Sequence, residues 1–330
     1  MRASGARRRR RGMTLIEIMI SLVLLGIVSG VIMRVIMRQQ RFYQGVNQIM
    51  TQRSQLRQAT SILPVDLRSL SSVGDDIIAA TDSSIEFMVN VGTGAVCNVI
   101  DNKQVAMPPD TLASGQDITD WFGYGRPNPD DNDLKYTVYI YDDSVTLGNE
   151  DDYWKQYDLK EVHQDGSQCL TTYATVADAG KQRPILEVSD PLGFTDPVTG
   201  GPLSQYIGIG APVRVTRRVK YALYQAADGK WYLGFARMLK STGAYEALSP
   251  VSGPYDPYGS AAGVAFRYYD VDGTEIASGG NKAARERIAR IDLIVRARTS
   301  ANVRAAGIPG GANQQYKDSL AVSVMLRNRQ

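Results

Sequence analysis

Residues 7–36 read RRRRRGMTLIEIMISLVLLGIVSGVIMRVI, and this stretch decides how the rest of the chain is read. Five arginines, Arg7 to Arg11, precede Gly12, and an apolar run follows from Met13 to Met33 that holds one charged residue, Glu17. Roughly 20 apolar residues, at about 1.5 Å each, cross the hydrocarbon core of a bilayer as a single helix. The run therefore predicts a transmembrane segment over 13–33. Clustered basic residues stay on the cytoplasmic side of such a span, so Arg7 to Arg11 are expected inside and everything after the helix is expected to be exported.

Glu17 fits poorly in a plain anchor. A carboxylate a few residues into an apolar run is costly unless it reaches water, takes a proton or finds a partner. Gly12 stands immediately before the run. A secretory signal peptide would be cut after its apolar run and would not leave the helix attached.

Gly12, Met13, Thr14, Leu15, Ile16 and Glu17 resemble the processing site of the type IV pilin superfamily, which includes the pilins and the pseudopilins of type II secretion. The resemblance implies that residues 1–12 are a leader, cut off between Gly12 and Met13 by a prepilin peptidase, that Met13 is then N-methylated, and that Glu17 is the fifth mature residue. The family usually has phenylalanine where this chain has Met13. It also implies an assembly role in which Glu17 of one subunit neutralises the new amine of another, a charge that methylation keeps. Such a buried pair adds little stability, yet it sets register well, since a misplaced neighbour leaves one charge unpaired.

From Arg34 to Leu63 there is no proline, and Val35, Phe42, Ile49, Leu56 and Leu63 recur every seven residues along one stripe. Pro64 disfavours helical geometry at Leu63, so one helix is predicted over 13–63, about 75 Å long by its rise per residue. The stripe can pack on the protein's own sheet, on other subunits, or on both along its length.

The formal charge of +3 comes from 37 basic and 34 acidic side chains. Without the six leader arginines, Arg2 and Arg7 to Arg11, 31 basic residues face 34 acidic ones and the charge is −3. A chain of that balance is no candidate for nucleic-acid binding. The head, residues 64–330, is long enough for a sizeable core. Its segments Ser84 to Asn90, Lys135 to Tyr141, Val213 to Gln225, Lys230 to Leu239, Gly263 to Asp270, Ile288 to Arg298 and Ser319 to Arg327 have strand character. Asp228-Gly229 and Asp272-Gly273 are hairpin signals. The fold class is α+β: a long N-terminal helix, transmembrane in its first half and amphipathic in its second, packed on a β-rich pilin-like head.

LPVDLRSL (63–70), SIEFMV (84–89), RRVKYALYQAADGKWYLGFAR (217–237), VAFRYYDVDGTEI (264–276), RIARIDLIVRART (287–299) and VSVMLRNR (322–329) look like the succession of blocks in PilW-type minor pilins and J-type pseudopilins. Between about Gly92 and Gln205 the chain departs from the compact members of that group, and this stretch reads as a long insertion or accessory lobe. Binding residues collect on such additions to a rigid scaffold.

Both cysteines, Cys97 and Cys169, fall in the insertion, and in an exported domain they are expected to form a disulfide. Asp130, Asp131 and Asp133, and Asp270 with Asp272, are candidate calcium ligands, although neither group has the spacing of an EF-hand loop and solvated loops have the same composition. His163, the single histidine, reads as a surface side chain. With no GxSxG motif, phosphate-cradling glycine loop or Cys-x-x-Cys pair, neither catalysis nor a cofactor is expected; Gly92, Gly94, Gly208 and Gly210 read as turn or strand-end residues.

Two functional classes follow. One is an assembly subunit, either a minor pilin that enters a type IV pilus and helps start or cap the filament, or a J-type pseudopilin. Its partners would be the prepilin peptidase, other major and minor pilins or pseudopilins, and the inner-membrane assembly machinery. It would span the bacterial inner membrane once, leader in the cytoplasm and head in the periplasm, before joining the pilus or pseudopilus. The other is a pilin-anchored adhesion or binding protein whose insertion does the binding.

Overall fold

Residues 13–72, 74–122, 126–127, 133–142, 153–167, 169, 176–178, 180–192, 194–195, 202–203, 207–259, 263–299, 302–303 and 314–326 are described in the computed structural model of the chain. A helix α1, Leu15–Leu67, comes first. The strands that follow are β1 (Ile77–Ala80), β2 (Ser84–Ala95), β3 (Asn98–Val99), β4 (Gln104–Ala106), β5 (Asp120–Trp121), β6 (Tyr136–Asp142), β7 (Tyr153–Asp165), β8 (Arg183–Val188), β9 (Phe194–Thr195) and β10 (Pro202–Leu203). The chain continues with β11 (Pro212–Gln225), β12 (Trp231–Arg237), β13 (Ser249–Tyr255), β14 (Val264–Tyr269), β15 (Glu275–Ile276), the short helix α2 (Lys282–Glu286), β16 (Arg290–Arg298) and β17 (Lys317–Met325). A long N-terminal helix followed by antiparallel β-structure is the α+β class expected, with a pilin-like order of elements.

α1 does not stop before Pro64 but runs on to Leu67. The proline lies in the last turn and removes one backbone bond, a cost of roughly 3 kcal/mol for an interior position. Against that, Leu67 and Leu70 are fully buried, and each such side chain contributes about 1.5–3 kcal/mol. Burial in the core outweighs the local preference. Leu56, Ala59, Leu63 and Leu67, at helical spacings of three and four, form the buried face. Tyr221 donates its hydroxyl to Asp66 at 2.8 Å and Tyr255 donates to the carbonyl of Gln55 at 3.0 Å, so this last part of the helix is bonded to the sheet as well as packed on it.

The chain divides into two compact units, residues 54–297 with 318–330, and residues 1–53 with 298–317. In the larger unit an 11-stranded sheet has the order β1-β2-β11-β6-β7-β8-β4-β3, with β12 also on β11, β13 on β12 and β5 on β2; a four-stranded sheet has the order β15-β14-β16-β17. β11 organises the large sheet. Its residues 213–217 pair with β6 and its residues 219–225 pair with β12, while β2 runs along its other side.

Two cores form along β2 and β11. Ile85, Phe87, Val219 and Tyr221 belong to the first, together with the helix leucines and with Val264, Phe266, Leu293 and Val295 of the smaller sheet. Val91, Val213 and Val215 belong to the second, with Val138, Ile140, Tyr157 and Leu186. The stretch expected as an insertion thus continues the main sheet and has its own core. Pairing shifts register between Val215–Gly92 and Thr216–Asn90, so Val91 bulges out where one core gives way to the other.

Gly92 is inside β2, not at a turn or a strand end, whereas Gly94 is next to the strand's last residue, Ala95. A Cβ on Gly92 would lie 2.5 Å from the Trp121 ring, so only glycine lets the indole lie on the strand. The hairpin signals hold: Gly229, at φ +77°, turns β11 into β12, and Gly273, at φ +81°, turns β14 into β15. In the smaller unit Gly45 of α1 faces Val303, and Arg53 donates to the Tyr316 hydroxyl at 3.0 Å.

Candidate functional site

The N-terminus of α1 is built from four residues, Thr14 to Glu17. Thr14 is the N-cap: its Oγ1 accepts from the Glu17 backbone N–H at 3.4 Å, while Glu17 Oε2 accepts from the Thr14 backbone N–H at 3.0 Å and from Thr14 Oγ1 at 3.1 Å. This reciprocal pair is a capping box, which satisfies amide groups that no helical carbonyl can reach. The sequence reading treated Glu17 as an intersubunit group alone, although Thr-x-x-Glu before an apolar run was the available signal. Within one chain the carboxylate is already aimed at the helix start, where the macrodipole favours negative charge and where cleavage before Met13 would create an amine.

The side chains beyond it are exposed without interruption from Met13 to Ile36. The apolar part of α1 is long enough to cross a membrane, and none of it is buried. A surface of that kind needs lipid or other apolar helices around it. The seven-residue stripe changes surroundings along its length: Val35 and Phe42 are about half exposed, at 48% and 51%, Ile49 is half-buried, and Leu56 and Leu63 are in the first core.

Residues 7–33 match the family model of the prokaryotic N-terminal methylation motif. The motif supports a type IV pilin-like subunit. It implies processing of the pilin-like chain by a prepilin peptidase and assembly with other pilins, and with the apolar helix it suggests membrane anchoring. No curated protein and no solved structure matches the chain.

The other expected positions are distributed as follows. Cys97 and Cys169 are bonded, their Cα atoms 5.3 Å apart, and close a loop across 72 positions beside Ala106 and Ile185. Gly12, Asp130 and Asp131 lie outside the described residues. Asp133 accepts from the Ser241 amide at 3.2 Å. Asp270 accepts from the amides of Thr274 and Asp272 and from Arg287, which hold its carboxyl below the usual range, so its oxygens serve the β14–β15 turn.

His163 is more than a surface side chain. Glu161 of β7 stands directly opposite Glu187 of β8, a like-charge pairing that is unfavourable unless compensated. His163 Nε2 lies 2.9 Å from Glu187 Oε2, its Nδ1 lies 3.7 Å from Glu161 Oε1, and the Lys160 ammonium binds the other Glu187 oxygen. Among the described residues these three, Glu161, His163 and Glu187, are close enough to share a metal ion. Lys160, in the first place, and His163 hold the Glu187 carboxyl down at about 2. Because that folded value is below the ordinary 4.5, its stabilising effect is complete above about pH 4.5 and is lost as pH falls towards 2. Thermal melting as a function of pH should show Glu187→Gln flattening part of the decline in that window; an unchanged slope would refute the assignment.

Proposed function

We propose that the chain is a minor pilin: a low-abundance subunit that enters a type IV pilus through its N-terminal helix and works with other minor subunits to start or cap the filament. It acts in this reading as an assembly subunit and not as an enzyme, with its arginine-rich leader cytoplasmic and its head exported. The observation that carries the proposal is the second core, built from the insertion beside a first core that already completes a helix-on-sheet unit. Helices at a filament axis pack closely, and each subunit shares a small axial rise with its neighbours. A head enlarged in this way crowds a filament made of itself alone but is accommodated at or near an end. Glu17 is retained, so the subunit can accept the amine of a following subunit.

Quantitative mass spectrometry of sheared filaments tests the proposal. The chain is expected as a small fraction of total pilin, and its deletion is expected to reduce filament number far more than that fraction. Finding it as the most abundant subunit would overturn the minor-pilin reading.

A further inference from the structure

The second core takes one face of the insertion's sheet, and the other face carries the chain's single histidine. Val105 of β4, Leu186 of β8 and Val162 of β7 belong to that core. Their neighbours alternate to the opposite face and form two rows across the three strands. Gln104, Glu187 and Glu161 make one row, and Ala106, Ile185 and His163 make the next. The Cys97–Cys169 disulfide packs with Ala106 and Ile185, so the backbone that carries both rows is tied down. Register shifts between Leu159 and Glu161, which leaves Lys160 as the extra residue of a bulge, and its ammonium reaches Glu187.

The charges of this group do not balance. Glu161 and Glu187 contribute −2 and Lys160 contributes +1, so with a neutral imidazole the four side chains carry −1. Like charges directly opposite each other in a sheet are destabilising, and a cation between them removes the penalty. One ligand atom from each of Glu161, His163 and Glu187 lies within 4.8 Å of the other two, and His163 Nε2 is 2.9 Å from Glu187 Oε2. Glu187 is also oriented in advance, because Gln104 Nε2 donates to its Oε2 at 3.2 Å and Lys160 holds its other oxygen.

The donor set selects the cation. Carboxylate and water oxygens alone suit calcium and magnesium, and calcium needs six to eight of them, whereas an imidazole beside carboxylates suits zinc. Zinc binds histidine nitrogen and carboxylate oxygen at about 2.0–2.2 Å, so two ligands of a tetrahedral ion stand roughly 3.4 Å apart. His163 Nε2 and Glu187 Oε2 are already near that separation, and Glu161 and His163 are half-buried side chains that can rotate to close the set. We propose that Glu161, His163 and Glu187 form a zinc site on the insertion, with water at the fourth position. The ion takes the place of the hydrogen bond between His163 and Glu187. Two ligands come from β7 and one from β8, so zinc staples these strands beside the disulfide.

The test uses the full-length protein in detergent, purified without a polyhistidine tag and stripped of metal with EDTA. Calorimetric titration with zinc chloride should show one ion bound per chain, and the bound ion should raise the melting temperature. His163 is the only histidine, so in protein labelled at histidine the imidazole C–H signals report on this site alone. Zinc should shift those signals and calcium should leave them in place. His163→Ala and Glu161→Gln should each weaken zinc binding at least about tenfold, the loss that follows when even a group supporting a ligand is removed. Glu161→Gln also relieves the like-charge pairing, so it should not lower the metal-free melting temperature, which guards against a folding defect. Absence of bound zinc, zinc that leaves the ring signals unmoved, binding as tight in Glu161→Gln as in the wild type, or calcium shifting the signals as zinc does would each overturn the site. No filament is needed, so this result and the assembly test succeed or fail separately.

Discussion

Replacement of Gly12 by leucine is expected to leave the precursor uncut in the membrane, with the mature form falling below detection. The peptidase implied by the motif must reach the peptide bond between the arginine-rich leader and Met13, at the edge of the apolar run. Glycine presents only backbone there; leucine puts a branched side chain against the scissile bond. Insertion itself depends on the apolar run and on Arg7 to Arg11, which the substitution does not touch, so the uncut chain should accumulate with normal topology. Terminal sequencing of the wild-type protein is the companion measurement, with Met13 expected as the first residue. A terminus beyond Val31 would show cleavage after the span, as in an ordinary signal peptide, and would end the pilin reading.

The second large effect is on assembly. Glu17→Ala should be inserted and cleaved, since removing a carboxylate eases residence in the bilayer, but it should enter filaments at a small fraction of the wild-type level. The capping box complicates this substitution, because alanine also removes the acceptor for the Thr14 amide. Loss of a cap costs only about 0.5–2 kcal/mol of local helix stability. Thr14→Ala separates the two contributions: it deletes the capping hydroxyl and keeps the carboxylate, so it should assemble far better than Glu17→Ala. Equal loss in both variants would assign the effect to helix capping, and normal incorporation of Glu17→Ala would show that the carboxylate does not register subunits.

Much of the fold was legible because its signals are local. The apolar run specifies a helix by length and hydropathy alone, and seven strand segments were marked by β-branched and aromatic residues. The two hairpins follow from Asp-Gly pairs that accept positive φ. The longer strands missed were β1, β7, β8 and β13, along with the two- and three-residue strands β3, β4, β5, β9, β10 and β15. β7 reads Tyr-Trp-Lys-Gln-Tyr-Asp-Leu-Lys-Glu-Val-His-Gln-Asp, and its polar face hides the alternation of Tyr157, Leu159 and Val162 into the second core. β13 contains Pro250 and Pro254, which argue against a strand until an edge position is known to accommodate them.

At the candidate site, Gly12, Met13 and Glu17 fall within residues 7–33, the stretch that matches the methylation motif, and their order alone singles them out. The capping box was equally local and was overlooked.

What the sequence determined by itself is therefore the anchor, its processing motif and the α+β class, since each depends on neighbours within one or two turns of chain. The tertiary structure alone decided the end of the helix, where Leu67 and Leu70 reach a core that outweighs Pro64. It also decided the grouping of Glu161, His163 and Glu187, and of Trp154 with Tyr141, because cross-strand register and the bulge at Val91 set those pairings. Register couples residues many positions apart through the pleat of the sheet, and no window of sequence contains both partners.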